Sequence, residues 1–598
     1  MFFYLEYHRP STAPEIQVSQ LAAGEHLPGV PETSRLYLRQ DKQHLISFAV
    51  PGGKFILLGD PVVAPGSKVS EKVVPAPGKI NQELLYEEIK GHYYWFYVPA
   101  AASAQNNLPL LCGNSFGAIY PVYYCIDNNR IRISSSSFLL AEKSGDTTQD
   151  KQNLLERLLF NYPFFNSTWW SGIKLLEAHR YLQLEPKGVA VAGDFEVSNH
   201  FGAPEDDSRD SMPELVALFQ KETEFFFPGE QFGISLTGGF DGRTLVAAAK
   251  KSGRNFFTYS FGRPDSTDVS MPALQAEKLG IPYRPILLDD PYVENHSLDS
   301  ALNFMRLTEY NGNFGRPHYH YAAQHLSEKT NYILTGNFGS ELFRALHLPG
   351  VMMSEHLIRV FSAPDDSWKD SIKQSASQWD SEFFAQETDA LIAGIEQYLE
   401  KMKGWEANHK FYYFVFNEIF RKYFGPELVM QSQYLNNRTP YLNLHFFKAL
   451  NKTIWSGVHA RLFEKVKSKR MKGQMFYASF IRHADPKLYY LKTNKGYSPA
   501  DVLVPARFPL LAGRVIWHKY LNHKEIDDNS VHAFIQKHHR SIAQTISRDN
   551  PSFFQPVLER SFDEISDEKN IEKLVKFYSI AAGWDQTGKK VSQGVVVD

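Results

Sequence analysis

The segment Ile234 to Ala249, ISLTGGFDGRTLVAAA, sets Gly238, Gly239 and Asp241 between an apolar run and a helix-forming run. At the carboxyl end of a parallel strand, two glycines let the backbone turn tightly and approach a ligand, and the amides opening the next helix attract anions. A phosphate suits such a corner. Asp241 is then either a helix cap or a carboxylate for the divalent cation that accompanies polyphosphate. A plain turn with a capping acid remains the alternative, because short glycine motifs are frequent. Two further clusters carry chemistry. His318 and His320 in PHYHY are spaced as two metal ligands on a strand would be, but no neighbouring cysteine or acid completes a set, so a structural role is the simpler reading. The basic run Lys465 to Gln474 could meet a polyanion, yet reads first as a solvated helix face.

The elements that must hold the glycine corner follow a clear order. QFGISL is strand-like, GRTLVAAAKKSG helix-like, NFFTYSFG strand-like, MPALQAEKLG helix-like and PYRPILL strand-like. This alternation predicts a parallel sheet covered by helices on both faces. After about residue 350 the chain reads as mostly helical, and the aromatic stripe of HKFYYFVFNEIFRKYF suits a helix buried in the core. The first two hundred residues differ: HLISFAV, KFILLGD, HYYWFYVPA, AIYPVYYCID and NRIRISSSS are short β-type runs between turn residues. The Pro, Gly, Ser and acid-rich stretch Asn199 to Glu214 marks an edge, placing a boundary near Asp206 and two main domains at 1–205 and 206–598.

Size and composition agree with this division. A chain of 598 residues exceeds one ordinary core, and 43% hydrophobic with 22% charged residues is that of a folded protein. Lys plus Arg (64) nearly balances Asp plus Glu (66), which gives no global reason to expect nucleic acid or an anionic membrane. Two cysteines, Cys112 and Cys125, are too few for a disulfide framework and lack zinc spacing. MFFYLEYHRP has the pattern of neither a signal peptide nor an anchor, and no apolar run reaches membrane-spanning length, so a cytoplasmic address is expected.

Several segments, in order, resemble the synthetase domain of the asparagine synthetase family, which includes β-lactam synthetases and lasso-peptide cyclases. SLTGGFDGR matches the pyrophosphate loop SGGxDS at Gly238, Gly239 and Asp241, with Thr237 and Gly242 at its two serine positions. TYSFGRPDSTD resembles the second strand, whose end lies against adenine. YILTGNFGSELFRA is similar to LSGxGxDELFGG, NNRTPYLNLHFFKAL to the RxPFLD segment, and YYLKTNKGYSP to RxKxGF. The resemblance implies an adenine nucleotide α-hydrolase-like (PP-loop) fold. It places nucleotide contacts on Ser235, Leu236, Thr237, Gly238, Gly239, Asp241, Gly242, Arg243, Ser260, Phe261, Gly262 and Gly336. It also implies catalytic roles for Lys495 and Glu341, and Mg2+ on Asp241.

The amino-terminal half fits the same family, LLCGNSFGAIYPVYYCIDNNRIRISSS resembling the FGxxPLYY segment of its β-rich Ntn-hydrolase-like glutaminase. That hydrolase uses a terminal cysteine. Here Met1 precedes Phe2, so glutamine hydrolysis is expected to be absent, as in β-lactam synthetases and lasso cyclases, which use an amine carried by the substrate. Three family acids are replaced, by Asn337, Ser340 and Asn443, so the implied Mg2+ site has lost part of its charge. Arg243 could offer a fixed positive charge to phosphate instead, or be an ordinary first-turn arginine. The expected activity is an ATP-dependent, AMP- and pyrophosphate-forming amide ligase or cyclase acting on a small-molecule or peptide carboxylate. A homodimer is left open, and a silent nucleotide-binding or interaction protein is the rival.

Overall fold

A computed structural model describes residues 1–8, 16–22, 34–39, 44–63, 69–100, 108–127, 130–205, 211–343, 353–362, 365–380, 382–464, 466, 472–507, 509–511, 513–514, 530–546 and 568–588. Among these residues the architecture is mixed α/β, with three sheets and many helices.

Two six-stranded sheets come from the first two hundred residues. One runs in the order Lys174–Leu175, Tyr123–Asp127, Arg130–Ser134, Phe2–His8, Arg35–Arg39, Gln17–Leu21. It is antiparallel except for its last pair. The other runs Gly188–Ala192, Tyr181–Glu185, Leu110–Asn114, Ile89–Pro99, Gly53–Val63, His44–Val50 and is antiparallel throughout. Aromatic side chains pack them together: Phe3 of the first sheet meets Tyr94 and Phe96 of the second at 4.7 and 5.1 Å between ring centroids. Such edge-to-face contacts fill a sheet-on-sheet core, which accounts for part of the chain's high aromatic content. AIYPVYYCID contributes a shorter strand than its pattern suggests, beginning only at Tyr123, after Pro121 has interrupted the run.

The third sheet is five-stranded and wholly parallel, in the order Tyr283–Leu287, Phe256–Gly262, Phe232–Ser235, Tyr332–Leu334, Asn436–Arg438. Helices Asp241–Lys251 and Thr267–Leu279 connect its first strands, matching the alternation in the sequence. In the first of these helices every residue from Gly242 to Ala249 is buried. The small residues Ala247, Ala248 and Ala249 are all buried and let neighbouring elements approach closely, and helix Lys472–Ala484 packs against this helix.

Past residue 350 the described chain is mostly helical. The aromatic stripe is buried, but its helix changes pitch: Ala407–Phe414 is α-helical and Val415–Phe424 is a π-helix. The wider turn sends Arg421 and Lys422 to the backbone carbonyls of Leu176 and Phe165 in the amino-terminal half. Meanwhile Phe420 and Phe424 pack on Phe338.

PHYHY lies in helix Pro317–Ser327 and not on a strand, because Pro317 opens a helix at its first position. Successive positions two apart then face different sides. His318 and His320 are held neutral by burial, their pKa pulled down to about 3 and about 4, and His320 meets the Tyr434 hydroxyl at 2.8 Å. Among the described residues no group of three or more His, Cys, Asp or Glu could hold a metal. None of their helices is long and apolar enough to cross a membrane.

The two halves of the chain are joined through buried polar contacts. Arg438, ending the last parallel strand, donates through Nε and Nη2 to both carboxylate oxygens of Asp60 at 2.7 and 2.8 Å. Beside this pair, His92 Nε2 meets Thr439 Oγ1 at 2.9 Å. The expected boundary near Asp206 falls outside the described residues.

Candidate functional site

Strand Phe232–Ser235 ends where the glycine corner begins, and Leu236 extends it by donating its amide to the Tyr259 carbonyl at 2.8 Å. Thr237 Oγ1 then accepts from the Gly239 amide at 3.4 Å, and Asp241 opens the next helix. Glycine is required at 238 by a neighbour: a Cβ there would lie 2.6 Å from Asn494. The glycine loop and the Thr493–Tyr497 turn are therefore in direct backbone-to-side-chain contact, although the sequence separates them widely.

A cavity of about 100 Å³ opens at this junction. It brings together Gly238, Gly239, Asp241, Ser340 and Lys495, with Tyr477 and Tyr497 among its walls. Gly473 and Gln474, the described end of the basic run expected to face solvent, also line it; residues 465 and 467–471 lie outside the described residues. Lys495 is exposed, on a turn closed by Thr493 N–H to Tyr497 O at 2.7 Å and Gly496 N–H to Thr493 O at 3.0 Å.

Helix Gly339–Phe343, reached by a short loop after strand Tyr332–Leu334, supplies another wall through Ser340 and Phe343. A Cβ at Gly336 would come within 2.7 Å of the Asp241 Cβ, so this loop too sits against the glycine corner. Phe338 adopts φ +70°, a left-handed conformation unusual for a non-glycine residue, and is held there by burial against Phe420 and Phe424. Ser340 Oγ donates to Asp241 Oδ2 at 3.2 Å, and Tyr441 Oη donates to the Asp241 carbonyl at 3.0 Å.

Other expected site residues do not line this cavity. Ser235, Leu236 and Gly242 sit behind the corner. Ser260, Phe261 and Gly262 end the neighbouring strand, where Ser260 Oγ is engaged by the Asp268 carbonyl at 2.6 Å and Tyr283 Oη at 2.7 Å. Glu341 lies on helix Gly339–Phe343, its carboxylate near Tyr423 and outside the cavity lining. Arg243 departs most from expectation. Its guanidinium is fully buried and donates to the carbonyls of Leu491 and Lys492 at 2.9 and 2.6 Å, so it is committed to backbone and not presented to phosphate.

Each of the three neutral residues at acid positions of the resembled family faces a carboxylate. Ser340 faces Asp241. Asn443 Nδ2 donates to Glu222 Oε2 at 2.9 Å, while its Oδ1 caps helix Leu444–Asn451 by accepting from Phe446 N–H at 3.0 Å. Asn337 stands beside Glu427, where burial raises the carboxyl and the asparagine opposes part of that rise. Asn443 is thus a buried helix cap that does not line the cavity.

Glu427 belongs to a cluster that sequence reasoning missed. Burial pushes its pKa up to about 7 despite Arg316, whose Nη1 stands 3.6 Å from Oε2 and whose guanidinium lies over the Tyr423 ring at 4.4 Å. Tyr319, in the same cluster, packs against Phe261 at 5.4 Å, so the cluster reaches the end of the second strand. Only the charge types of Arg316 and Glu427 hinted at a pair, and nothing local joined them.

In the amino-terminal half Met1 and Phe2 are buried, with Arg39 over the Phe2 ring at 5.4 Å. Cys112 and Cys125 are also buried. Burial pushes both thiols up, Cys125 to about 11, so neither is an activated thiolate.

No family model matches the chain, and neither does any curated protein. Among solved structures, glutamine phosphoribosylpyrophosphate (PRPP) amidotransferase from B. subtilis complexed with ADP and GMP is similar at 10% identity. The match covers 56% of this chain and 71% of that one, with a TM-score of 0.16, a likeness too remote to carry an argument about fold or activity.

Proposed function

We propose that the chain is an ATP-dependent, AMP- and pyrophosphate-forming amide ligase or cyclase, whose amino-terminal half is a degenerate Ntn-hydrolase-like domain and whose remainder is a PP-loop synthetase domain. One observation carries this reading: Gly238, Gly239, Asp241 and Lys495 line one cavity at the carboxyl ends of parallel strands, the place where open α/β sheets bind ligands. The residues suit pyrophosphate. The loop offers close backbone approach, and Lys495 offers a mobile cation for charge developing on phosphate and acyl oxygens. Among the described residues Asp241 is the one carboxylate lining the cavity, which suits Mg2+, an ion that takes most of its ligands from water and substrate phosphates. Bound there, Mg2+ would neutralise pyrophosphate charge, while this chain's own part is to orient the acid and steady the leaving group.

The test is pyrophosphate release from ATP with pooled carboxylic acids and amines. Release that requires the acid and disappears in Lys495→Ala supports the ligase; ATP binding with no release across the panel supports a silent nucleotide-binding protein. The latter reading is favoured by Asn337, Ser340 and Asn443, all neutral donors facing carboxylates.

A further inference from the structure

Arg243 is an expensive residue in its place. It occupies the first turn of helix Asp241–Lys251, where the helix dipole opposes a cation, and it is fully buried. No carboxylate pairs with it among the described residues, and burial pulls its pKa down to about 9, which leaves it charged at neutrality. Its compensation is a fork of two hydrogen bonds to the carbonyls of Leu491 and Lys492. Gln275, from the helix after the second strand, adds a third, donating from Nε2 to the Lys492 carbonyl at 3.2 Å. Two residues further on, Asn494 rests on Gly238, and Lys495 follows.

We propose that Arg243 is a positioning residue that fixes the Lys495-bearing turn against the glycine loop, so that the pyrophosphate-binding corner is assembled only while this fork is made. The inference rests on the pyrophosphate reading for its purpose, but the anchoring itself does not. A lysine at 243 would keep the charge and lose the fork, because an ammonium cannot span two carbonyls in a fixed plane. The turn then gains freedom without any change at the cavity's own residues.

The experiment measures amide hydrogen exchange and inorganic pyrophosphate binding in the full chain, for wild type, Arg243→Lys, Lys495→Ala and the double variant. In Arg243→Lys the amides of Thr493 and Gly496 should exchange at least ~10-fold faster, while those of strand Phe232–Ser235 keep their wild-type rates. Pyrophosphate affinity should fall by roughly tenfold in Arg243→Lys and no further when Lys495→Ala is added, because both changes remove the same contact. Gln275→Leu, which deletes one of the three bonds, should show the same exchange pattern to a smaller degree and serves if Arg243→Lys does not fold. Unchanged exchange at Thr493 and Gly496 in the folded variant, or losses that multiply in the double variant, would overturn the proposal. If the wild type binds no pyrophosphate, the ligase reading fails, and the exchange rates still decide whether Arg243 anchors the turn.

Discussion

Ser340 Oγ donates to Asp241 Oδ2 at 3.2 Å across the wall of the cavity. A carboxylate at position 340 would therefore stand beside that of Asp241. Ser340→Asp should raise the affinity for Mn2+ in the presence of inorganic pyrophosphate by about tenfold or more, since divalent sites are tuned by carboxylate count. Calorimetric titration checks this, and an unchanged affinity would show that Asp241 does not face the cation position.

Lys495 is exposed on a turn that its side chain does not support. Lys495→Ala should therefore leave thermal stability within about 0.5 kcal/mol of wild type, as surface substitutions do. Acid-dependent pyrophosphate release should nonetheless drop by about 100-fold or more, the usual loss when a group aimed at developing charge is removed. Parallel melting curves and a pyrophosphate assay separate the two effects.

Gly238→Ala would drive a methyl group to 2.6 Å from Asn494. Pyrophosphate binding and stability should both fall, overpacking typically costing ~1–3 kcal/mol. Removing the obstructing side chain by Asn494→Gly in the same chain should recover most of the lost stability. If the double variant is no more stable than Gly238→Ala, the two segments do not touch as described.

Asn443→Asp would set a carboxylate against Glu222, a buried acid with Lys90 Nζ at 3.3 Å and His445 Nδ1 at 3.0 Å. The substitution restores an acid that the resembled family carries, yet it should destabilise by roughly 1–3 kcal/mol because a donor becomes a second buried acceptor. Glu222→Gln should relieve much of that loss, as chemical denaturation of the double variant would show.

The same pair governs a pH window. Burial raises the Glu222 pKa, but His445, Lys90 and Asn443 outweigh it and hold the carboxyl down at about 2, below its ordinary 4.5. Stability from this group is present above pH 4.5 and is lost as pH falls toward 2. His445, raised above its ordinary 6.5 by the Glu222 hydrogen bond, contributes below 6.5 and loses that contribution as pH rises through its folded value. The pair should therefore stabilise most between pH 4.5 and 6.5, and Glu222→Gln should flatten the stability profile on both sides of that window.

The parallel sheet was legible because its first three strands and two helices alternate periodicity over short, well-punctuated runs from Phe232 to Leu287. The fifth strand was not. Asn436–Arg438 is three residues of turn-forming composition, held extended because Arg438 is pinned by Asp60 and lies over the Tyr332 ring at 4.6 Å. Helix Pro317–Ser327 was hidden for the converse reason, the aromatic and histidine alternation of PHYHY mimicking a strand while Pro317 fixes a helical start. The glycine corner was readable locally. Lys495 was visible only through the order of distant segments, and the Arg316–Glu427 cluster lacked even that, because its members meet only after helices 317–327 and 425–431 have packed.

The ion pair between Asp60 and Arg438 has a consequence for the protein's modularity. Both side chains are nearly inaccessible, and one belongs to each half. Breaking a buried pair by removing one partner leaves the other charge in a poor solvent, at a cost of ~3–5 kcal/mol. A gene truncated to encode only the carboxyl-terminal half would instead open this strand end to water: Arg438 would keep its Nη1 bond to the Phe226 carbonyl at 3.1 Å and lose the partner that pins the last strand of the parallel sheet. The amino-terminal half is consequently bound to its neighbour by inheritance as well as by contact: even if its own chemistry lapsed, discarding it would take the support from the strand on which the other half's sheet ends.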